Sequence, residues 1–257
     1  MWTDVDGKRV FYGTGSGRGT AMPIVFLHGA GMDHTIWVMP ARYFARHGRR
    51  VLAPDLPGHG RSEGPPLDSI DGLADWVARL CDASGVEQAA VAGHSMGALV
   101  AFAFASRHAA RCRALALLGP SLPMPVTDRL LNAAAANDYS AIDMANGWSH
   151  STHGRMGGND DPGRWMLGYG ERLLERAAPG VFHADLAACN GFRPEHLEVK
   201  VPALVVIGDA DQMTPPKAGL ALAASLPQAR AVRLPHCGHS MLSEQPNQVL
   251  DALIGSL

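Results

Sequence analysis

The run Gly93-His94-Ser95-Met96-Gly97 constrains this chain more than any other stretch of it. It lies between the apolar Ala89-Ala90-Val91-Ala92 and the helix-forming Ala98-Leu99-Val100-Ala101-Phe102-Ala103-Phe104, so a strand has to end, turn sharply and continue as a helix. A serine hydroxyl is a weak nucleophile at neutral pH. It gains reactivity when it is exposed on such a turn, close to a base and to N–H donors for a developing oxyanion. Gly93 and Gly97 lack the side chains that would collide where strand and helix pack closely, and the helix start offers unpaired N–H groups, that of Met96 first. With 29 glycines in the chain, a G-x-S-x-G run could be a mere tight turn. The strand before it and the helix after it favour Ser95 as a nucleophile.

A nucleophilic serine needs a base and an acid to orient that base, expected in the order Ser, Asp or Glu, His, each just after a strand. Ala203 to Ile207 reads as a buried strand and runs into Gly208-Asp209-Ala210-Asp211-Gln212-Met213-Thr214-Pro215. Ala231 to Leu234 reads as another strand, followed by Pro235-His236-Cys237-Gly238-His239-Ser240. Asp209 and Asp211 compete for the acid role, and His236 and His239 for the base.

Two further segments complete a family pattern: Pro23-Ile24-Val25-Phe26-Leu27-His28-Gly29 and Asp55-Leu56-Pro57-Gly58-His59-Gly60-Arg61-Ser62. Together with the serine turn and the two late loops, they make the chain resemble an α/β-hydrolase over nearly its whole length. The resemblance maps the acid onto Asp211, by the G-x-x-D pattern, and the base onto His239, by the G-H-x-x-x-x-E-x-P pattern of Gly238 to Pro246. It implies that His239 takes the Ser95 proton and returns it to the leaving group, while Asp211 fixes the tautomer and stabilises the imidazolium. It also implies an oxyanion hole made by the backbone N–H groups of Ala30 and Met96.

Duller explanations suit other conspicuous residues. His28, His59 and His94 read as loop-packing groups, Asp55 as a loop anchor, and Glu244 as a charge placed to suit the dipole of the last helix.

Buried strands read as Ile24 to Leu27, Val51 to Pro54, Ala89 to Ala92, Ala114 to Leu118, Leu204 to Ile207 and Ala231 to Leu234, with helical segments between most of them. That alternation predicts an α/β fold with a mostly parallel central sheet flanked by helices. Between Leu118 and Ala203 the chain is far longer than a crossover requires. By resemblance this stretch is a helical lid inserted after the sixth strand, so residues 1–119 and 200–257 form the core and 120–199 the cap. Helix-like stretches lie there at 128–137, 139–148, 165–177 and 181–190. Among its apolar residues, which include Met166, Leu167 and Phe182, we expect Met144, Trp148 and Trp165 to reach a substrate pocket. The stretch from Trp148 to Asp161 mixes histidines, acids and glycines; a gating or exposed loop explains it better than a metal site.

At 257 residues the chain can bury a large core as one α/β domain. Its net charge of -2 and lack of a basic stripe argue against a nucleic-acid partner. No apolar leader or membrane-length run is evident, and Cys81, Cys112, Cys189 and Cys237 show no metal-ligand spacing, which fits a cytoplasmic protein with reduced thiols. The expected enzyme is a serine hydrolase cleaving carboxylic esters of modest size through an acyl-enzyme. It needs no cofactor or metal, its partner is a small-molecule ester, it engages no membrane, and a homodimer is left open. The alternatives are a carbon-carbon bond hydrolase of meta-cleavage type, a lactonase, and a ligand receptor retaining the hydrolase pocket. The His28-Gly29-Ala30-Gly31 loop and His94 both depart from the pattern usual in the carbon-carbon hydrolases.

Overall fold

The computed structural model describes residues 1–17, 19–158, 163 and 165–257. Its eight strands are β1 (Trp2–Val5), β2 (Lys8–Gly13), β3 (Ala21–Leu27), β4 (Arg49–Pro54), β5 (Ala89–His94), β6 (Cys112–Leu118), β7 (Ala203–Gly208) and β8 (Ala229–Leu234). They form one sheet in the order β1-β2-β4-β3-β5-β6-β7-β8. The first two pairings, β1 with β2 and β2 with β4, are antiparallel, and the rest are parallel.

Both faces of the central parallel strands, such as β5 and β7, are buried, as crossover helices on both sides require. Side chains alternate across each strand. Val25 and Leu27 of β3 therefore join the core on one side of the sheet, and Ile24 and Phe26 join the core on the other. Helices α2 (Ile70–Ala83) and α3 (Met96–Arg107) cover the first face, while α1 (Val38–Arg46) and α11 (Pro246–Ile254) cover the second. Ser69 caps α2 by accepting from the Gly72 N–H.

Between β6 and β7 the chain forms α4 (Asp128–Ala135), α5 (Ser140–Ser149), α6 (Thr152–Arg155), α7 (Met166–Glu175) and α8 (Val181–Gly191); α9 (Pro216–Ser225) and α10 (Met241–Glu244) follow later. These inserted helices have a small apolar cluster of their own, centred on Leu130, Ala134, Ala141 and Leu186. The loops after β3, β5, β7 and β8 all leave the sheet at its carboxyl edge, where open α/β sheets bind ligands.

Candidate active site

Ser95 links β5 to α3 with φ 55° and ψ −119°, a conformation that non-glycine residues adopt only under the constraint of their surroundings. The turn is tight enough to make its glycines obligatory. A Cβ on Gly93 would sit 1.9 Å from the Gly97 carbonyl oxygen, and one on Gly97 would sit 2.2 Å from that of Leu27. The Ser95 N–H is bonded to the Leu118 carbonyl at 2.9 Å, which fastens the turn to β6.

The two late loops separate their competing residues. His239, 2% exposed, directs Nδ1 at Asp211 Oδ2 at 2.8 Å. Asp211 Oδ1 accepts from the N–H groups of Met213 and Thr214, both at 2.8 Å, and Oδ2 accepts from the Thr214 hydroxyl at 2.7 Å. Burial alone would raise the Asp211 carboxyl, but the His239 charge and these hydrogen bonds outweigh it and hold the group below the ordinary carboxylate range. With its Nδ1 proton donated to Asp211, His239 has Nε2 as its basic nitrogen. Asp209 instead forms an ion pair with Arg233 at 2.8 Å, and His236 is exposed with φ 60°.

Ser95 and His239 line one cavity of about 130 Å³. Ala30 lines it too, Met96 begins α3 beside Ser95, and among the described residues neither backbone N–H is committed to a backbone acceptor. Trp148 and Phe182 reach the cavity wall together with Leu130, Leu174, Leu186 and Met213. The other two residues expected in the pocket do not. Met144 packs within the apolar cluster of the inserted helices. Trp165 is 74% exposed, because its ring lies across the first turn of α7, where a Cβ on Gly168 would sit 2.2 Å from it.

The stretch beginning at Trp148 is not a loose loop through residue 155. His150 is 2% exposed with Nδ1 against the Asn146 carbonyl at 2.9 Å, and residues 152–155 form α6. Residues 159–161 of that stretch lie outside the described residues. Glu244 holds the segment in place. Its buried carboxylate accepts from the Ser151 N–H, the Ser151 hydroxyl and the Gly238 N–H, so it does more than balance a helix dipole.

His94 donates Nε2–H to the His239 carbonyl at 2.8 Å, and its Nδ1 faces Gly29, where a Cβ would come within 3.2 Å. Burial and then the His239 charge push His94 down to about 3, so it remains neutral at working pH. Gly119 escapes any reading of the sequence. At φ 59°, a Cβ there would stand 3.0 Å from the His239 ring, so this glycine makes room for the His239–Asp211 pair.

Among the described residues, Asp33, His34 and Asp55 form a cluster that could offer three ligand atoms to a cation. Its charges are already engaged. Asp55 pairs with His34 Nδ1 at 2.7 Å and accepts from the N–H groups of His34 and Arg61, while Asp33 pairs with Arg176 at 3.0 Å.

Comparison with known proteins agrees with this architecture. The chain is 31% identical over 249 residues to the pimeloyl-[acyl-carrier protein] methyl ester esterase of Aromatoleum aromaticum, covering 87% of this chain and 93% of that protein. It is 30% identical over 241 residues to the 2-hydroxymuconate semialdehyde hydrolase of Pseudomonas sp. (strain CF600), covering 86% and 81%. The enol-lactonase of Burkholderia xenovorans LB400 shares the fold, with a TM-score of 0.87 at 24% identity over 99% of this chain and 98% of that one. A family model described as the alpha/beta hydrolase family matches residues 24–252. With a serine turn, a histidine–aspartate pair and this sheet in one frame, the chain belongs to the alpha/beta hydrolase family.

Proposed function

We propose that this hydrolase cleaves carboxylic esters of modest size through an acyl-enzyme on Ser95. The observation that carries this reading is the single cavity onto which Ser95 and His239 both open, with His239 tied to Asp211 behind it. His239 Nε2 removes the Ser95 proton as Oγ attacks the ester carbonyl. The tetrahedral oxyanion rests on the Ala30 and Met96 N–H groups, and the same proton then leaves with the alcohol. Water enters and is deprotonated by His239, and the acid is released. Asp211 keeps the imidazolium favourable throughout.

The cavity wall also argues for the class of substrate. It is mostly apolar, with no Lys or Arg among the described residues that line it. 2-Hydroxymuconate semialdehyde, named for the Pseudomonas relative, carries a carboxylate, which would be buried there without a counter-charge. A neutral acyl group meets no such penalty. An engineered cavity of about 150 Å³ accommodates benzene, so a space of about 130 Å³ suits an acyl chain of similar bulk. Residues 120–199 act in this reading as a cap that supplies the walls. The four buried cysteines suit the reducing environment of a cytoplasm, and among the described residues no helix is long and apolar enough to cross a membrane.

The test is hydrolysis of a p-nitrophenyl ester series from acetate to decanoate by wild type and Ser95→Ala. A nitrophenol burst, an optimum near butyrate to hexanoate and loss of turnover in Ser95→Ala are expected. Absence of ester turnover, with hydrolysis of a vinylogous diketone instead, would move the assignment to carbon-carbon cleavage.

A further inference from the structure

Asp185 of α8 is 1% exposed, and its Oδ2 takes part in two contacts that bring together distant parts of the chain. It accepts the Gly31 N–H at 2.8 Å, across 154 residues, and faces His59 Nε2 at 2.7 Å, across 126. The other nitrogen of His59 faces the Pro57 carbonyl at 3.0 Å. Both ring nitrogens therefore meet oxygen acceptors, an arrangement satisfied when both carry protons.

The loop that Asp185 touches is the one bearing Ala30. Gly29 O accepts from the Met32 N–H at 3.2 Å and from His28 Nδ1 at 2.9 Å, which closes the turn from inside the core. Gly31 is fixed from outside, by Asp185. Between these fastenings lies Ala30, which lines the cavity and whose N–H has no backbone acceptor among the described residues. Gly31 itself has φ 66°, and a Cβ there would strike Phe182 at 2.9 Å, so α8 and this loop are in close contact along the cavity wall.

We propose that Asp185, paired with His59, is the positioning residue of the oxyanion loop: it reaches from the inserted helices to aim the Ala30 N–H at the developing negative charge without touching substrate. This rests on the esterase reading above. The pairing also has an electrostatic purpose. A lone buried carboxylate close to the oxyanion would oppose it, and the His59 cation cancels that field. The ionisable groups facing His59 are Asp185, Asp55 and His28. Burial lowers His59, but Asp185, then the Pro57 carbonyl and last Asp55 outweigh burial and raise it overall; His28, pushed down to about 4 by burial and then by the His59 charge, stays neutral beside it.

The experiment compares wild type, Asp185→Ala, Asp185→Asn and His59→Gln on p-nitrophenyl butyrate, with rates normalised to active sites counted from the nitrophenol burst. Inhibition by a butyl trifluoromethyl ketone, whose adduct with Ser95 carries an alkoxide, is measured alongside. Asp185→Ala is expected to lower kcat about 10- to 100-fold, as misplaced groups do, with KM changed within about twofold and the ketone weakened in parallel. Asp185→Asn keeps an acceptor oxygen for Gly31 and recovers most of the rate. Should Asp185→Ala not fold, His59→Gln carries the test, with kcat and ketone affinity expected to fall together. A merely structural role would lower the burst amplitude and the melting temperature but leave the per-site kcat and the ketone affinity of these variants near wild type; that result overturns the proposal. Wild type inert to both ester and ketone overturns the esterase reading and this inference with it.

Discussion

At the scale of single residues, the site is defined by what each loop excludes as much as by what it presents. Asp211 and Asp209 stand two apart, yet one carboxylate accepts four hydrogen bonds inside the protein and the other pairs with Arg233 near the surface. Asp211→Asn should therefore lower kcat by about 10³- to 10⁴-fold, as loss of an orienting carboxylate does, while Asp209→Asn leaves steady-state rates close to wild type. His239→Ala against His236→Ala makes the parallel comparison. Gly119→Ala tests a residue that only three dimensions reveal. Its positive φ and the 3.0 Å approach to His239 should cost about 1 to 3 kcal/mol of stability, seen in a melting curve, together with a clear loss of kcat. The Ser95 turn and the two loops carrying Asp211 and His239 were legible because each follows a strand within a short motif, but spacing left Asp209 and His236 in competition, and only the family pattern chose between them. Gly119, Asp185 and Glu244 were not legible, since their roles rest on partners far away in sequence and no local pattern announces such contacts.

At the scale of elements, legibility followed burial. Strands apolar on both faces, such as β5 and β7, stood out as continuous runs, and their crossover helices followed from the lengths between them. β1 and β2 escaped notice because much of their surface is exposed. α1 escaped notice too, with Pro40 in its first turn, a position where the missing N–H costs nothing. The inserted helices were anticipated as helices, but their attachment to the core was not. Glu244 gives that attachment a measurable strength. Glu244→Ala strands the Ser151 N–H, the Ser151 hydroxyl and the Gly238 N–H without their acceptor, and should destabilise the protein by about 2 to 4 kcal/mol, read as a lower urea midpoint at unchanged slope.

For the whole molecule, buried histidines make stability depend on pH. His28 and His94 are driven down to about 4 and about 3, chiefly by burial, from an ordinary value near 6.5. Below pH 6.5 the unfolded chain binds protons that these folded imidazoles refuse, so their contribution is complete above that pH and is lost as pH falls towards the folded values. Each contributes a slope of about 1.4 kcal/mol per pH unit in that window. His59 acts in the opposite sense: its raised value adds stability that is present below its unfolded value and lost as pH rises through the folded one. Urea denaturation at a series of pH values should show a steep fall in stability on acidification, and His94→Asn should remove about one proton's share of that slope. The bond from Asp185 to Gly31 also bears on modularity. A segment inserted between two strands invites grafting, as if residues 120–199 were an exchangeable tool head on a common handle. Because one of its carboxylates reaches into the loop that we propose receives the oxyanion, a transplanted segment would inherit the handle's chemistry only if it brought an acid to the same spot. Shuffled chimaeras should then sort into active and inactive sets by that residue, whatever the shape of the new walls.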